Sequence, residues 1–186
     1  MNMIISVPYR RQQTKYSCGP AALQMVLEYF GSTCQQRVLA KQMRAQPVIG
    51  TSTAHMVRAA ARRGFCCYVN DRSSLDDIRY FLTKKLPPIV RFVEPTTEDD
   101  HYAVVSGINN RSIILNDPWN GENFRITHKE FIRRWHSEDH SHVAWLMVLA
   151  REDFELGEQY PRAQRRAKLR TRAVARAAGR ATSAIL

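Results

Sequence analysis

Cys18-Gly19-Pro20-Ala21-Ala22-Leu23-Gln24-Met25-Val26-Leu27-Glu28-Tyr29-Phe30-Gly31 is the stretch from which the rest of the chain is read. Ala22, Met25, Val26, Tyr29 and Phe30 recur at helical spacing, Pro20 suits a first turn, and Gly31 is placed to close the C-terminal end. The spacing predicts a helix with one buried face and a cysteine at its N-terminus. That position has a chemical consequence. Free backbone N–H groups and the positive end of a helix dipole favour the thiolate, which is the nucleophilic form. Gly19 lets the backbone approach a substrate closely, and Pro20 gives up only an N–H that the helix does not use. The other reading of Cys18 is a small buried hydrophobe.

Working outward, helices are expected over 38–44 and 53–63, the second with Thr51 or Ser52 as N-cap and Gly64 as its stop. Residues 65–69 read as a strand, and 75–84 as a helix with Leu75, Ile78 and Leu82 inward. After Pro87-Pro88 the pattern turns extended, with strands at 89–93, 101–108 and 112–117, an acidic loop at 94–100 and a turn at Asn109-Asn110. A short helix at 127–135 and an apolar strand at 143–149 follow. Helices first and strands later is an α+β pattern, with an N-terminal helical part and a C-terminal antiparallel sheet.

A length of 186 residues with 44% hydrophobic and 24% charged side chains suits one compact domain, and excludes collagen-like or low-complexity chain. The net charge of +11 is uneven: from Glu158 onward there are eight basic residues and one acid, a net +7, which leaves +4 for residues 1–157. The expected organisation is therefore a domain over 1–157 and a basic, Ala/Arg-rich tail over 158–186, helical or disordered. Arg162, Arg165, Arg166, Lys168, Arg170, Arg172, Arg176 and Arg180 offer it to nucleic acid, an anionic membrane or an acidic protein, or leave it simply solvated. No apolar run approaches the roughly 18 residues of a membrane span, and no secretory signal is expected, so the default compartment is the cytoplasm. Cys18, Cys34, Cys66 and Cys67 form neither a disulfide framework nor a CxxC zinc motif. His136, Glu138, Asp139, His140 and His142 are rich in ligand types, but their spacing matches no ligand motif and reads as a solvated loop. No metal or cofactor is expected.

A nucleophilic cysteine needs a base, and the base needs an orienting partner. His101 and Asp117 flank a hairpin. A turn of odd length centred on residue 109 places them directly opposite each other on one face, whereas a two-residue turn at Asn109-Asn110 sends them to opposite faces. Pro118 holds Asp117 extended, and Asn116 is an alternative partner for the imidazole. Taken singly, His101 reads as a surface histidine beside Asp99 and Asp100, and Asp117 as a turn residue. Acyl transfer also needs donors for an oxyanion, and Gln12 or Gln13 lies just upstream of the cysteine. The acidic loop 94–100, adjoining His101, would favour basic peptides or gate the cleft.

Gln12-x5-Cys18-Gly19-Pro20-Ala21-Ala22-Leu23-x-Met25-x-Leu27, Gly50-Thr51-Ser52, His101-Tyr102-x-Val104-Val105-x-Gly107 and Asn116-Asp117-Pro118 together resemble the papain-like cysteine peptidases of family thirty-nine and its stand-alone "like" branch. That family includes the bacteriocin-processing domains of ABC exporters, whose substrate is a leader peptide cut after a double glycine. The resemblance runs from about Val7 to about Leu149. It implies a papain-like fold with Cys18 as nucleophile, His101 as general base and acid, Asp117 as the group that holds the imidazole, and Gln12 as the oxyanion-hole side chain. The expected function is a cysteine peptidase acting on a protein or peptide through a Cys-His-Asp triad and a thioester, with an amine in place of water making the same site a transferase. The alternative is a catalytically silent or acyl-transferring domain of this fold, acting as a binding module through its basic tail.

Overall fold

A computed structural model describes residues 3–47, 49–152 and 159–160. The basic stretch from residue 161 to the end, on which the tail's expected partners rest, lies outside them.

The helix at the cysteine is present as α1 (Cys18–Tyr29), followed by α2 (Gln36–Gln42) and α3 (Thr53–Ala61). Ser52 caps α3 by accepting from the His55 N–H. α4 (Leu75–Thr83) begins with a reciprocal capping box between Ser74 and Asp77, and α5 (His128–Arg134) is capped by Thr127. α1 departs from the expectation of one buried face. Every residue from Cys18 to Leu27 is buried, so the helix is enclosed on all sides by the sheet and by α2 and α3. Leu23, Met25, Val26 and Leu27 are wholly removed from water, at about 1.5–3 kcal/mol each. Gln24, the polar residue among them, is satisfied by Glu28 and Gln36.

The strands are β1 (Met3–Ile4), β2 (Cys66–Asn70), β3 (Ile89–Val93), β4 (Asp100–Ile108), β5 (Ser112–Asp117), β6 (Gly121–Thr127), β7 (Leu146–Ala150) and β8 (Gln159–Tyr160). They form one antiparallel sheet in the order β6-β5-β4-β3-β7-β2-β8, with β1 added to β4 beyond the end of β3. β1 and β6 are not expected from the sequence. β1 is short, and β6 is mostly exposed, with Ile126 its only buried residue, so neither carries the apolar pattern that marks a strand. β8 falls in the segment read as the start of the tail. β7 starts later than expected because Ala144, at φ 51°, breaks the extended run after Val143.

The β4–β5 hairpin corrects the expected register. At the turn Ile108 pairs with Ile113, an even-length connection of the kind that would put His101 and Asp117 on opposite faces. Between Val105 and Gly107 the register shifts by one, with Ser106 the extra residue, so Val104 faces Asn116. The bulge reverses the parity of everything beyond it. His101 and Asp117 return to one face as diagonal neighbours, not as a directly opposed pair. The carbonyl freed at Ser106 accepts from the Ile5 N–H at 2.8 Å, which carries the ladder of β1 onward.

Gly107 lies where β1 crosses this kinked strand, and a Cβ there would sit 2.6 Å from the Met3 carbonyl oxygen. Gly107→Ala therefore displaces β1 and is expected to lower stability by about 1–3 kcal/mol, read as an earlier urea midpoint with little change in slope.

Candidate active site

Cys18 is the first residue of α1, and Ser17 before it makes no side-chain cap. The Ser17 hydroxyl instead bonds the Thr14 carbonyl at 3.1 Å and Gln36 Oε1 at 3.2 Å, so it leaves the first-turn N–H groups of α1 uncapped. The backbone N–H groups of Gly19 and Tyr102 and the ring of His101 lie around the Cys18 sulfur and favour its ionised form. Gly19 makes this approach feasible, since a Cβ there would lie 3.1 Å from Thr51 Cβ and 3.2 Å from Met56 Cε. Tyr102 fixes the same loop by donating its hydroxyl to the Thr51 carbonyl at 3.2 Å.

His101 is buried, paired across the ladder with Phe92, whose ring meets the imidazole edge-on at 5.7 Å. Its Nε2 lies 2.8 Å from Asp117 Oδ1, which leaves Nδ1 for the thiol. Asp117 is fully buried, and Oδ1 also accepts the N–H groups of Trp119 and Asn120 at 2.8 and 2.9 Å. Asn116, the alternative partner, is committed elsewhere: its Nδ2 donates to the Val7 carbonyl at 2.8 Å and its Oδ1 accepts from the Asn123 N–H.

The electrostatics follow from these contacts. Burial alone would raise the Cys18 thiol, but the His101 hydrogen bond and charge and the two backbone donors outweigh it, and the thiol is held below its ordinary range. Burial alone would lower His101, but Asp117 and Cys18 reverse this and hold the imidazole well above its ordinary value. Asp117 is likewise low despite burial, because His101 and the Trp119 and Asn120 N–H groups stabilise its carboxylate. The three groups thus form one buried row of thiol, imidazole and carboxyl in which the contacts favour the thiolate, the imidazolium and the carboxylate.

Gln12 approaches this cluster along the backbone, its N–H bonding the Pro118 carbonyl at 3.1 Å. Its Nε2 donates one hydrogen to the Thr14 carbonyl at 2.8 Å, while Oε1 is buried without a partner. Gln13 is exposed, and only its backbone N–H takes part, bonding Gln36 Oε1.

A family model described as the Peptidase_C39 like family matches residues 4–142. The chain belongs to this family. Among curated relatives, an uncharacterized protein of Methanothermobacter marburgensis is 32% identical over 108 residues, covering 58% of this chain and 69% of that one. The lactococcin transport/processing ATP-binding protein LcnC-like of Lactococcus lactis is 32% identical over 114 residues, 59% of this chain and 15% of that protein. Among solved structures, the peptidase domain of Streptococcus ComA, a bi-functional ABC transporter involved in quorum sensing, superposes with a TM-score of 0.66 at 24% identity, covering 79% of this chain and all of that one. The fold is the papain-like α+β fold of the C39 peptidases.

Within this C39-like chain, three residues that sequence reasoning missed hold the cluster in place. Gln36 is buried, and its amide is used from both ends: Oε1 accepts from the Gln13 N–H and the Ser17 hydroxyl, while Nε2 donates to the Arg11 carbonyl at 3.1 Å and to Gln24. It shapes the loop that carries Gln12. Asn120 Nδ2 donates to Glu94 Oε1 at 2.7 Å and to Asp117 Oδ2 at 3.3 Å, joining two buried carboxylates. Burial would raise the Glu94 carboxyl, but Asn120, Thr96 and Thr97 hold it low. A polar residue in a predicted loop or helix carries no sign of such a role. Only the partners that the fold brings from elsewhere reveal it.

The remaining candidates separate from the site. Cys66 and Cys67 are buried side by side in β2, and burial, with Cys66 adding to it, pushes the Cys67 thiol up to about 12. Cys34 receives Arg63 at 3.0 Å. His136 and His140 stack at 4.3 Å, and His142 pairs with Asp71. Among the described residues no three His, Cys, Asp or Glu side chains converge as a metal site, and no helix is long and apolar enough to cross a membrane.

Alkylation followed residue by residue across pH is expected to find Cys18 reacting well below the ordinary thiol value of 9.0 while Cys67 stays inert. In His101→Ala, burial is left as the dominant influence, and the Cys18 profile moves to higher pH. Gln36→Leu strands the polar groups of the 11–17 loop and is expected to cost at least about 1–3 kcal/mol in urea unfolding.

Proposed function

We propose that the chain is a cysteine peptidase that hydrolyses a peptide or other amide bond through Cys18, His101 and Asp117. The observation that carries this reading is the single buried contact chain from thiol to imidazole to carboxylate, with the sulfur at the open end of α1.

The Cys18 thiolate attacks the carbonyl carbon, forming a C–S bond and an oxyanion. The uncapped Cys18 N–H and the second amide hydrogen of Gln12 are the proposed oxyanion donors. His101 Nδ1 passes its proton to the leaving amine as the C–N bond breaks, giving a thioester. Water then attacks, His101 takes its proton, and collapse to the acid returns the thiolate. Asp117 keeps Nε2 protonated and the ring in place throughout. A double glycine motif protease of similar fold is solved in complex with a leader peptide, which supports peptide as the substrate class proposed here.

Turnover of a peptide library by the purified protein tests this reading. Cys18→Ala should abolish it, and His101→Ala should lower it by roughly 100-fold or more. Gln12→Ala should reduce kcat by roughly 100- to 1,000-fold with KM little changed, as for a donor used only in the transition state. Equal activity in wild type and Cys18→Ala would dismiss the proposal.

A further inference from the structure

Residues 29–70 contain no Asp or Glu, yet hold six Arg and Lys. α2, α3 and the residues just past their C-terminal ends bring Arg37, Lys41, Arg44, Arg58 and Arg62, together with His55, around one open cleft of about 860 Å³. Among the described residues none of these cations has a carboxylate partner, in contrast to Arg10, Arg79, Arg91, Arg133 and Arg134 elsewhere on the molecule. Arg37 and Arg58 reach only the Gln35 side chain and the Ala54 carbonyl. Burial and the charges of Arg58 and Arg44 depress the His55 imidazole, as expected where cations converge. Five unpaired positive charges held together by two helices repel one another, and an anionic ligand relieves that repulsion.

α3, which lines the cleft, also packs on the helix of the nucleophile. Thr51, just before α3, and Met56 on it lie against Gly19, and His55 of the cleft adjoins Met56 in sequence. A helix is about 10 Å across and an extended peptide rises about 3.3 Å per residue, so roughly three residues or more carry a chain from Cys18 over α3.

The acidic loop 94–100, which from sequence would favour basic peptides, is neutralised from within. Glu94 is buried under Thr96, Thr97 and Asn120; Glu98 is paired with Arg134; and Asp100 binds Arg91 and the Glu138 N–H. Of its four acids only Asp99 is left without such a partner among the described residues. The acidic loop thus presents little uncommitted negative charge beside the site.

We propose that the α2–α3 cleft binds an acidic segment of the peptide substrate, a short run of Asp or Glu side chains a few residues from the scissile bond. Peptide is favoured over nucleic acid because no Phe, Tyr or Trp ring lines the cleft to stack on bases. It is favoured over a lipid surface because Val38 is the apolar side chain lining it, too little to insert. The inference rests on the peptidase reading for the claim that the bound segment belongs to the substrate.

The test is binding without turnover, so that its failure is separate from a failure of catalysis. Full-length Cys18→Ala protein is titrated into fluorescein-labelled hexaglutamate, hexaglutamine and hexalysine peptides, and anisotropy is followed at low and moderate salt. Hexaglutamate alone should bind, more weakly as salt rises. Arg44→Glu with Arg58→Glu should weaken binding at least about tenfold, and Arg44→Gln with Arg58→Gln by an intermediate factor. Arg172→Glu with Arg176→Glu, in the tail, should leave it within about twofold. Binding that survives the cleft reversal or vanishes with the tail reversal overturns the proposal. So does tighter binding of a single-stranded oligonucleotide, or of vesicles containing anionic lipid, than of hexaglutamate.

Discussion

The whole arrangement depends on the N-terminus of α1 abutting the edge of β4. A helix end buried in protein normally needs a side-chain cap, yet Ser17 provides none, and its hydroxyl is turned to Thr14 and Gln36. What meets the open end is the Cys18 sulfur and the sheet behind it, through the Tyr102 N–H and the His101 ring. The contact is possible only because Gly19 lets the Thr51 loop close to within van der Waals distance, and because α1 from Cys18 to Leu27 is apolar on every side except at Gln24. Packing energy of the enclosed helix, several kcal/mol from four side chains alone, holds an unsatisfied helix end against charged groups. The energetics of the core and the chemistry of the site therefore meet at one residue.

Burying a thiolate, an imidazolium and a carboxylate together is costly unless each is solvated by fixed dipoles. Here each is. The sulfur has two backbone N–H groups, Asp117 has two more, and Asn120 links Asp117 onward to Glu94, itself covered by four Thr96 and Thr97 donors. The chain from Cys18 to Glu94 alternates charge and dipole across elements β4, β5 and the loop after β3. Loss of any one member leaves a buried neighbour unpaired, so the network constrains geometry more than it adds net stability.

The helices, the cap at Thr51 or Ser52, and strands β3, β4 and β5 were legible because each carries its own periodicity or turn chemistry within a few residues. Cys18, His101 and Asp117 were legible as residue types at suggestive places, but not as neighbours. Their proximity hangs on Ser106, a bulge residue with no local signature, which changes strand parity at a distance of five residues from His101. Gln36, Asn120 and Glu94 were illegible for a related reason: each is defined by partners from a different element, and pattern reading sees only near neighbours along the chain. β6 was missed because it is an edge strand whose exposed residues follow no buried alternation.

Charge near a nucleophile acts in two ways, and magnitudes separate them. If the cleft cations lie a helix diameter from Cys18, about 10 Å, that separation at physiological ionic strength is comparable to the Debye length of about 8 Å. Their effect on the thiol is therefore small beside that of an imidazole in direct contact, in accord with His101 and backbone donors being what lowers the Cys18 thiol. A mobile anionic chain, by contrast, samples the cleft at contact distance, where several cations act together and the wall of α2 and α3 excludes part of the screening solvent. The same charges are thus nearly silent toward the resident sulfur and strong toward an incoming polyanion. Reactivity is set by the β4–β5 hairpin and attraction by the helical layer, so the two can vary independently on one fold.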